Sequence, residues 1–453
     1  MSSVLRVNLV RAARVALLAS VLLVLVMPAV QAAATRLWVT RYDGGDIDEA
    51  SAIAFDTSGN VYVAGRSHGG ANGEDYLVFK YAAGGGVKWV RRYDRAGLWD
   101  GARGVAVDGN GNVYVTGRSF GPGSHGDFAT IKYDAAGTQK WVRRYTSSGY
   151  ADDGALDIAL DSNGNVIVTG FTTTKGSGFD YLTIKYSPSG TAIFTKGYNG
   201  PGDGADIARA VAVDSKNNVY VTGASLGDDT NSDMCTIKYT PAGVEEWVRR
   251  WDSPLHRSDG AMDIAIDDYD FPYVTGYTYR GSTDSDYMTI KYNRNGTWKW
   301  SKRYNGPAGG PDVAYAIAID GNGIYVTGAS YGKGTDNDYA TIRYFRGGTI
   351  TSFVRRYSGP AKKADVANAL VAANNMVYVT GFSTGSGTSG DYFTIAYGGG
   401  GGFKWANRYN GSGNDFDQGN AIGINPANGN VVVTGGSRGV GSKSDFLTIA
   451  YAP

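Results

Sequence analysis

Residues 107–117 read VDGNGNVYVTG, and the chain writes nearly the same line again at 213–223 as VDSKNNVYVTG. The Asp followed by Gly and Asn marks a tight turn, and the Val-Tyr-Val alternation behind it marks a strand that ends at a glycine. Working outward, Gly117 has counterparts at Gly65, Gly170, Gly223, Gly276, Gly328, Gly381 and Gly435, spaced 52 to 54 residues apart. Eight copies of one unit point to a repeat architecture. Before each turn lies a small apolar run, as in ARGVAVD at 102–108. After each glycine comes a segment opened by Asp, DFATIKY at 127–133, and then an aromatic, basic one, WVRRY at 141–145. Each copy therefore predicts four short antiparallel strands, the form of a propeller blade. The chain reads as all-β: a single eight-bladed β-propeller over residues 35–453, four antiparallel strands to a blade. WVTRY at 38–42 is a lone fourth strand, and the last copy stops at Tyr451 after its third. The N-terminal strand is thus expected to complete the last blade and close the ring without an exposed seam.

Composition agrees with many short strands and tight turns: 67 Gly, 32 Tyr and only 12 Pro, with no long helical periodicity. Residues 1–33 are different in kind. Arg6, Arg11 and Arg14 precede an apolar run from Val15 to Val26, then Pro28 and small residues, the layout of a signal peptide and too short a run for a comfortable membrane span. The expectation is a secreted or periplasmic protein, monomeric, with no membrane span after signal removal. Without those three arginines, 40 basic residues face 42 acidic ones, a formal charge of −2, so nucleic acid is not an expected partner. Cys235 is the sole cysteine, which excludes an internal disulfide and the lipid-attachment cysteine of a bacterial lipoprotein.

Stretches such as 107–117 and 213–223, with a hydroxyl residue two places beyond the glycine, resemble the bacterial β-propeller repeat family called SBBP. That resemblance implies exported, surface-associated proteins; the family name implies seven blades, where this chain has eight repeats. The hairpins YDAAGTQKW at 133–141 and YTPAGVEEW at 239–247 are similar to the Gly-then-Trp docking repeat of quinoprotein dehydrogenases, which have eight blades. This second resemblance implies tryptophans stacked between blades, and so speaks for fold and not for activity.

Two aspartates recur in every copy. Asp75, Asp127, Asp180, Asp233, Asp286, Asp338, Asp391 and Asp445 open the third strand, where a carboxylate is expected to accept backbone hydrogen bonds of a tight loop. Asp48, Asp100, Asp153, Asp206, Asp259, Asp312, Asp365 and Asp417 precede the first strand. Pointed at the axis they would form a ring of carboxylates that a cation such as calcium could neutralise. The alternative is that each accepts hydrogen bonds from its own or a neighbouring blade. No other cofactor is expected. Arginine pairs on the fourth strand, such as Arg91 and Arg92 or Arg355 and Arg356, are expected to charge an exposed edge. The pattern Gly-x-Ser-x-Gly, a nucleophile elbow in hydrolases, occurs six times, at 65–69, 117–121, 223–227, 328–332, 381–385 and 435–439. No helical segment follows it and the chain has three histidines, so it is assigned to the repeat and no catalytic residue is named.

The segment from each glycine to the third-strand Asp differs in content from copy to copy, RSHGGANGE in one and ASLGDDTNS in another. The link from one copy to the next varies as well, DRAGLW at 94–99 against DSPLHR at 252–257. Both connections emerge on one side of an antiparallel blade, so one face of the disc is diversified. The expected function is an exported, non-enzymatic scaffold that binds protein or glycan through that face. Its candidate contacts are Trp99, His68, His125, Leu255, His256, Tyr279, Arg280 and Tyr331, which are large or ionisable within variable loops. Two alternatives stay open: a glycan-active hydrolase or lyase or quinoprotein-like enzyme, and a purely structural envelope protein.

Overall fold

In the computed structural model, the described residues are 33–453 apart from 70–72, 124, 148–151, 175, 177, 229–230, 280–283 and 349–350. The proposed signal segment lies almost wholly outside them. Thirty-two strands form eight four-stranded antiparallel sheets, with no helix among the described residues. Blade 1 runs through strands Asp48–Phe55, Val61–His68, Glu74–Tyr81 and Val87–Tyr93 in that order, and blades 2 to 7 repeat the arrangement. Blade 8 takes Asp417–Ile424, Val431–Ser437 and Asp445–Tyr451 from the end of the chain and Arg36–Tyr42 from its beginning. Val39 pairs with Ile449 and Arg41 with Leu447, and the first strand of blade 1 packs against the sheet of blade 8, so the ring is closed as expected.

The repeated glycine owes its place to close packing. In every blade the first strand carries a β-bulge, in blade 2 between Ala102 and Gly104, opposite the Thr116-Gly117 step. The bulge pushes the first strand's backbone towards the glycine: a Cβ on Gly117 would overlap the carbonyl oxygen of Gly101, and one on Gly276 that of Gly260. The other six repeat glycines meet the same obstruction, so only hydrogen fits there. The bulge also corrects one expectation. Strict alternation would put Ala50, Ala52 and Ala54 on one face, but Ala50 pairs with Gly65 and Ala52 with Ala64, so the extra residue sends Ala50 to the opposite face.

Blades are stitched together by polar side chains buried between them. The fully buried Tyr76, Tyr181, Tyr287, Tyr339 and Tyr392 each donate a hydroxyl hydrogen bond to a third-strand carbonyl of the next blade, 3.0 to 3.3 Å away. At the rim, Trp89 lies over Gly137 of the next blade's hairpin turn, whose φ of +82° already calls for glycine, and its Nε1 donates to Ala135 O at 3.2 Å. Trp141, Trp247 and Trp300 repeat this contact. The docking reading of the Gly-then-Trp hairpin therefore holds.

The arginine pairs do more than charge an edge. The first of each pair reaches the neighbouring blade: Arg91 Nε donates to Gly137 O, Arg143 to Gly190 O, Arg249 to Gly296 O and Arg355 to Gly401 O. The second bonds the aspartate and serine of its own blade and a tyrosine of the preceding one, as Arg250 does with Asp233, Ser225 and Tyr198, except that Arg144 lies over Tyr93 instead.

Candidate functional site

Seven of the eight third-strand aspartates meet an arginine. Arg92 bonds Asp75 at 2.7 Å, Arg250 bonds Asp233 at 2.7 Å, Arg303 bonds Asp286 at 3.1 Å, Arg356 bonds Asp338 at 2.7 Å and Arg408 bonds Asp391 at 2.8 Å. Arg41 reaches Asp445 to do the same for blade 8. At Asp75, Asp338, Asp391 and Asp445 side-chain donors stand where loop backbone was expected: the arginine in each, joined by the hydroxyl of Thr388 at Asp391 and of Ser442 at Asp445. Blade 2 departs from the pattern: Asp127 is paired with Arg95 of the incoming loop, while Arg144 lies over the Tyr93 ring. In blade 3 the arginine position is held by Gly197.

The first-strand aspartates are fully buried. Asp206 accepts from Gly200 N at 2.7 Å and Leu226 N at 2.9 Å, Asp312 from Gly306 N and Tyr331 N, Asp365 from Gly359 N and Thr384 N, and Asp417 from Gly411 N and Arg438 N. Each clamps the loop arriving from the previous blade to the top of its own second strand. The serines of the Gly-x-Ser-x-Gly pattern complete a relay: Ser225 and Ser383 receive hydrogen bonds from Arg250 and Arg408 and stand beside Asp206 and Asp365. All six serines are fully buried. Burial raises the carboxyls of Asp100, Asp259 and Asp365 to about 6 against the hydrogen bonds that lower them. Three acidic triples gather at blade junctions, Asp43 with Asp48 and Asp445, Asp75 with Asp94 and Asp100, and Asp233 with Asp252 and Asp259. Each already contains an arginine ion pair, from Arg41, Arg92 and Arg250 respectively.

The proposed contact residues are spread around the loop-bearing face. Trp99 is half-buried, its Nε1 donating to Glu74 at 2.7 Å and its ring set edge-on to Phe120. Leu255 is 49% exposed, and next to it His256 holds a left-handed φ of +51° with Nδ1 on Asp252. Tyr331 is exposed, Tyr279 lines a shallow hollow with Arg257, His68 is half-buried and His125 is exposed. Arg280 lies outside the described residues. These side chains stand on different blades and form no single constellation; with Leu98, Phe416 and Val440 they give the face an apolar, uneven relief.

A second variable surface escaped sequence reasoning. The bulge leaves one unpaired residue per first strand, on the inner edge of each sheet: Ser51, Arg103, Leu156, Arg209, Met262, Tyr315, Asn368 and Asn420. Their neighbours in the strand are small or aliphatic in copy after copy, yet these eight positions hold six residue types. Arg103 and Arg209 are exposed, while Asn368 and Asn420 bond Gly419 O and Ala50 O of the next blade. Beside the bulge, Asp157 and Asp263 replace the usual Ala or Gly and accept from Val211 N and Ile317 N of the following blades, each at 2.8 Å. Burial raises their carboxyls to about 6 and about 7, with Asp157 adding to the effect on Asp263.

Eight such blades in a closed ring make the chain an eight-bladed β-propeller. A family model of the SBBP beta-propeller repeat matches the chain at residues 37–73 and 100–122. Among solved structures it is similar to a europium-containing methanol dehydrogenase, with a TM-score of 0.55 at 11% identity over 94% of this chain and 95% of that one. At such identity the likeness is one of fold. Among curated proteins it is 22% identical over 260 residues to the uncharacterized WD repeat-containing protein L264 of Acanthamoeba polyphaga mimivirus, a match over 48% of this chain and 16% of that protein. The chain thus spans about a sixth of that relative's length.

Proposed function

We propose that this propeller is an exported, monomeric, non-enzymatic scaffold that binds a protein or glycan partner through its loop-bearing face. The supporting observation is the contrast between the two faces of the disc. On one, hairpin turns repeat with a left-handed residue at the same place, as at Gly59, Gly111, Gly164 and Asn217. On the other, loops of changing content display Leu98, Leu255, Tyr331, Phe416 and Val440. A rigid ring carrying varied loops on one side is how a repeat scaffold presents a contact surface.

The test is binding of the purified protein to arrays of glycans and to envelope extracts, set against a Trp99→Ala, Leu255→Ala, Tyr331→Ala triple variant. The expected result is saturable binding that the variant loses while its denaturation midpoint stays close to wild type. Turnover of a screened polymer would favour an enzyme, and binding insensitive to all three substitutions would remove this face from the account.

A further inference from the structure

A cavity of about 430 Å³ opens on the loop face over blade 6, between the loops at 305–309, 332–336 and 358–362. Its two free charges are Lys333 and Lys362, both exposed and both without an ion-pair partner among the described residues. Arg356 lines the floor but is committed to Asp338 at 2.7 Å and to Ser330 and Tyr304. The cavity is therefore cationic through its lysines. Pro307 and Pro360 give it apolar walls.

Lys362 holds this position at a conformational cost. The loops that join successive blades share a turn: NGPGD at 199–203, DSPLH at 252–256, NGPAG at 305–309, SGPAK at 358–362 and NGSGN at 410–414. The fifth residue of each takes a left-handed backbone, with φ of +45°, +51°, +66°, +53° and +54°. Blade 5 leads into blade 6 with Gly309, which is free of penalty there, and Asn and Asp tolerate the region. Where the residue is Asp203, His256 or Asn414, its side chain also bridges back to the first residue of the turn, Asn199, Asp252 or Asn410. Lys362 has neither advantage. No bond joins it to Ser358, whose hydroxyl is buried and unpartnered beside the same cavity, as is that of Thr335. A lysine kept at a strained position, with two unsatisfied hydroxyls next to it, marks a place where ligand contact is worth more than local stability.

We infer that this cavity binds a small organic oxyanion, a carboxylate- or phosphate-bearing molecule of about monosaccharide size. Lys333 and Lys362 hold the charge, and the proline walls take its uncharged body. The inference deepens the loop-face reading, because the cavity opens on the same side.

Calorimetric titration of the whole protein with glucuronate, glucose 6-phosphate, inorganic phosphate and glucose tests it. The two charged sugars are expected to bind, inorganic phosphate more weakly, and glucose not at all; comparison of the first two identifies which oxyanion is preferred. Lys333→Ala and Lys362→Asn should each weaken binding about tenfold. Lys362→Asn should at the same time melt at or above the wild-type temperature, because Asn suits the left-handed turn, and so loss of binding cannot be charged to unfolding. Binding of glucose as tightly as of glucuronate, absence of binding by either charged sugar at millimolar concentration, or unchanged affinity in both lysine variants would overturn it. The triple variant at Trp99, Leu255 and Tyr331 tests the wider face apart from this cavity, since neither Lys333 nor Lys362 is altered in it.

Discussion

The contacts between blades and the ring's inner edge are built from the same eight copies, yet they follow opposite rules. Between blades, Tyr287, Trp300 and the fourth-strand arginines recur because each has a fixed partner in the next sheet or in its own. On the inner edge the bulge position has no obligatory partner, and Ser51, Arg103, Leu156, Arg209, Met262 and Tyr315 occupy it in turn. A repeat protein is uniform where neighbours must fit and free to diverge where they need not. Substitutions in the first region should be costly, and those in the second nearly neutral.

The largest expected loss is Arg356→Ala, which strands the buried Asp338 without its counter-charge and should cost about 3–5 kcal/mol by chemical denaturation. A loss below about 1 kcal/mol would mean the relay is ornamental to the blade. Next comes Gly276→Ala, whose methyl group collides with the first-strand backbone; about 3 kcal/mol is expected, accompanied by a change in the bulge. Tyr287→Phe removes one buried inter-blade hydrogen bond at 3.2 Å and should cost about 1–2 kcal/mol.

The inner edge should respond to pH rather than to packing. The Asp263 carboxyl rises from 3.8 in the unfolded chain to about 7 in the fold, so its protonated form is the favoured one. Its stabilising contribution is complete below pH about 4 and is lost as pH climbs through about 7. Asp263→Asn keeps an acceptor for Ile317 N and should melt a few degrees above wild type at pH 8, with no difference at pH 4. Smallest of all, Arg103→Ala at the exposed bulge position should change stability by less than about 0.5 kcal/mol. A large effect there would break the contrast and give the inner edge a structural duty of its own.

Most of the fold was legible because its signals are local and repeated eightfold: turn residues, alternation, and a spacing that alone counts the blades. Closure was legible too, from the orphan WVTRY strand. The bulge was not, since an extra residue in a run such as ARGVAVD looks like any other small residue until its pairing partner is known. The Asp-Arg pairing was hidden for a related reason: Asp75 and Arg92 are 17 residues apart and meet only when the third and fourth strands are laid side by side. Of the contact candidates, Trp99 and Leu255 were identifiable as large residues in variable loops. Lys333 and Lys362 were passed over, because exposed lysines carry no signal until the backbone beneath one of them is seen to be left-handed.

The clasp that closes the ring sets how the molecule bears tension. Arg36 faces Tyr451, and Ala452 N bonds Thr35 O at 2.9 Å, so both chain ends leave from the same corner of blade 8. A pull applied to the two ends loads the outermost pair of this antiparallel ladder first and peels it open rung by rung, where a shearing pull would have to break all rungs together. Force across the termini would therefore open the disc at blade 8 before it disturbs the other seven.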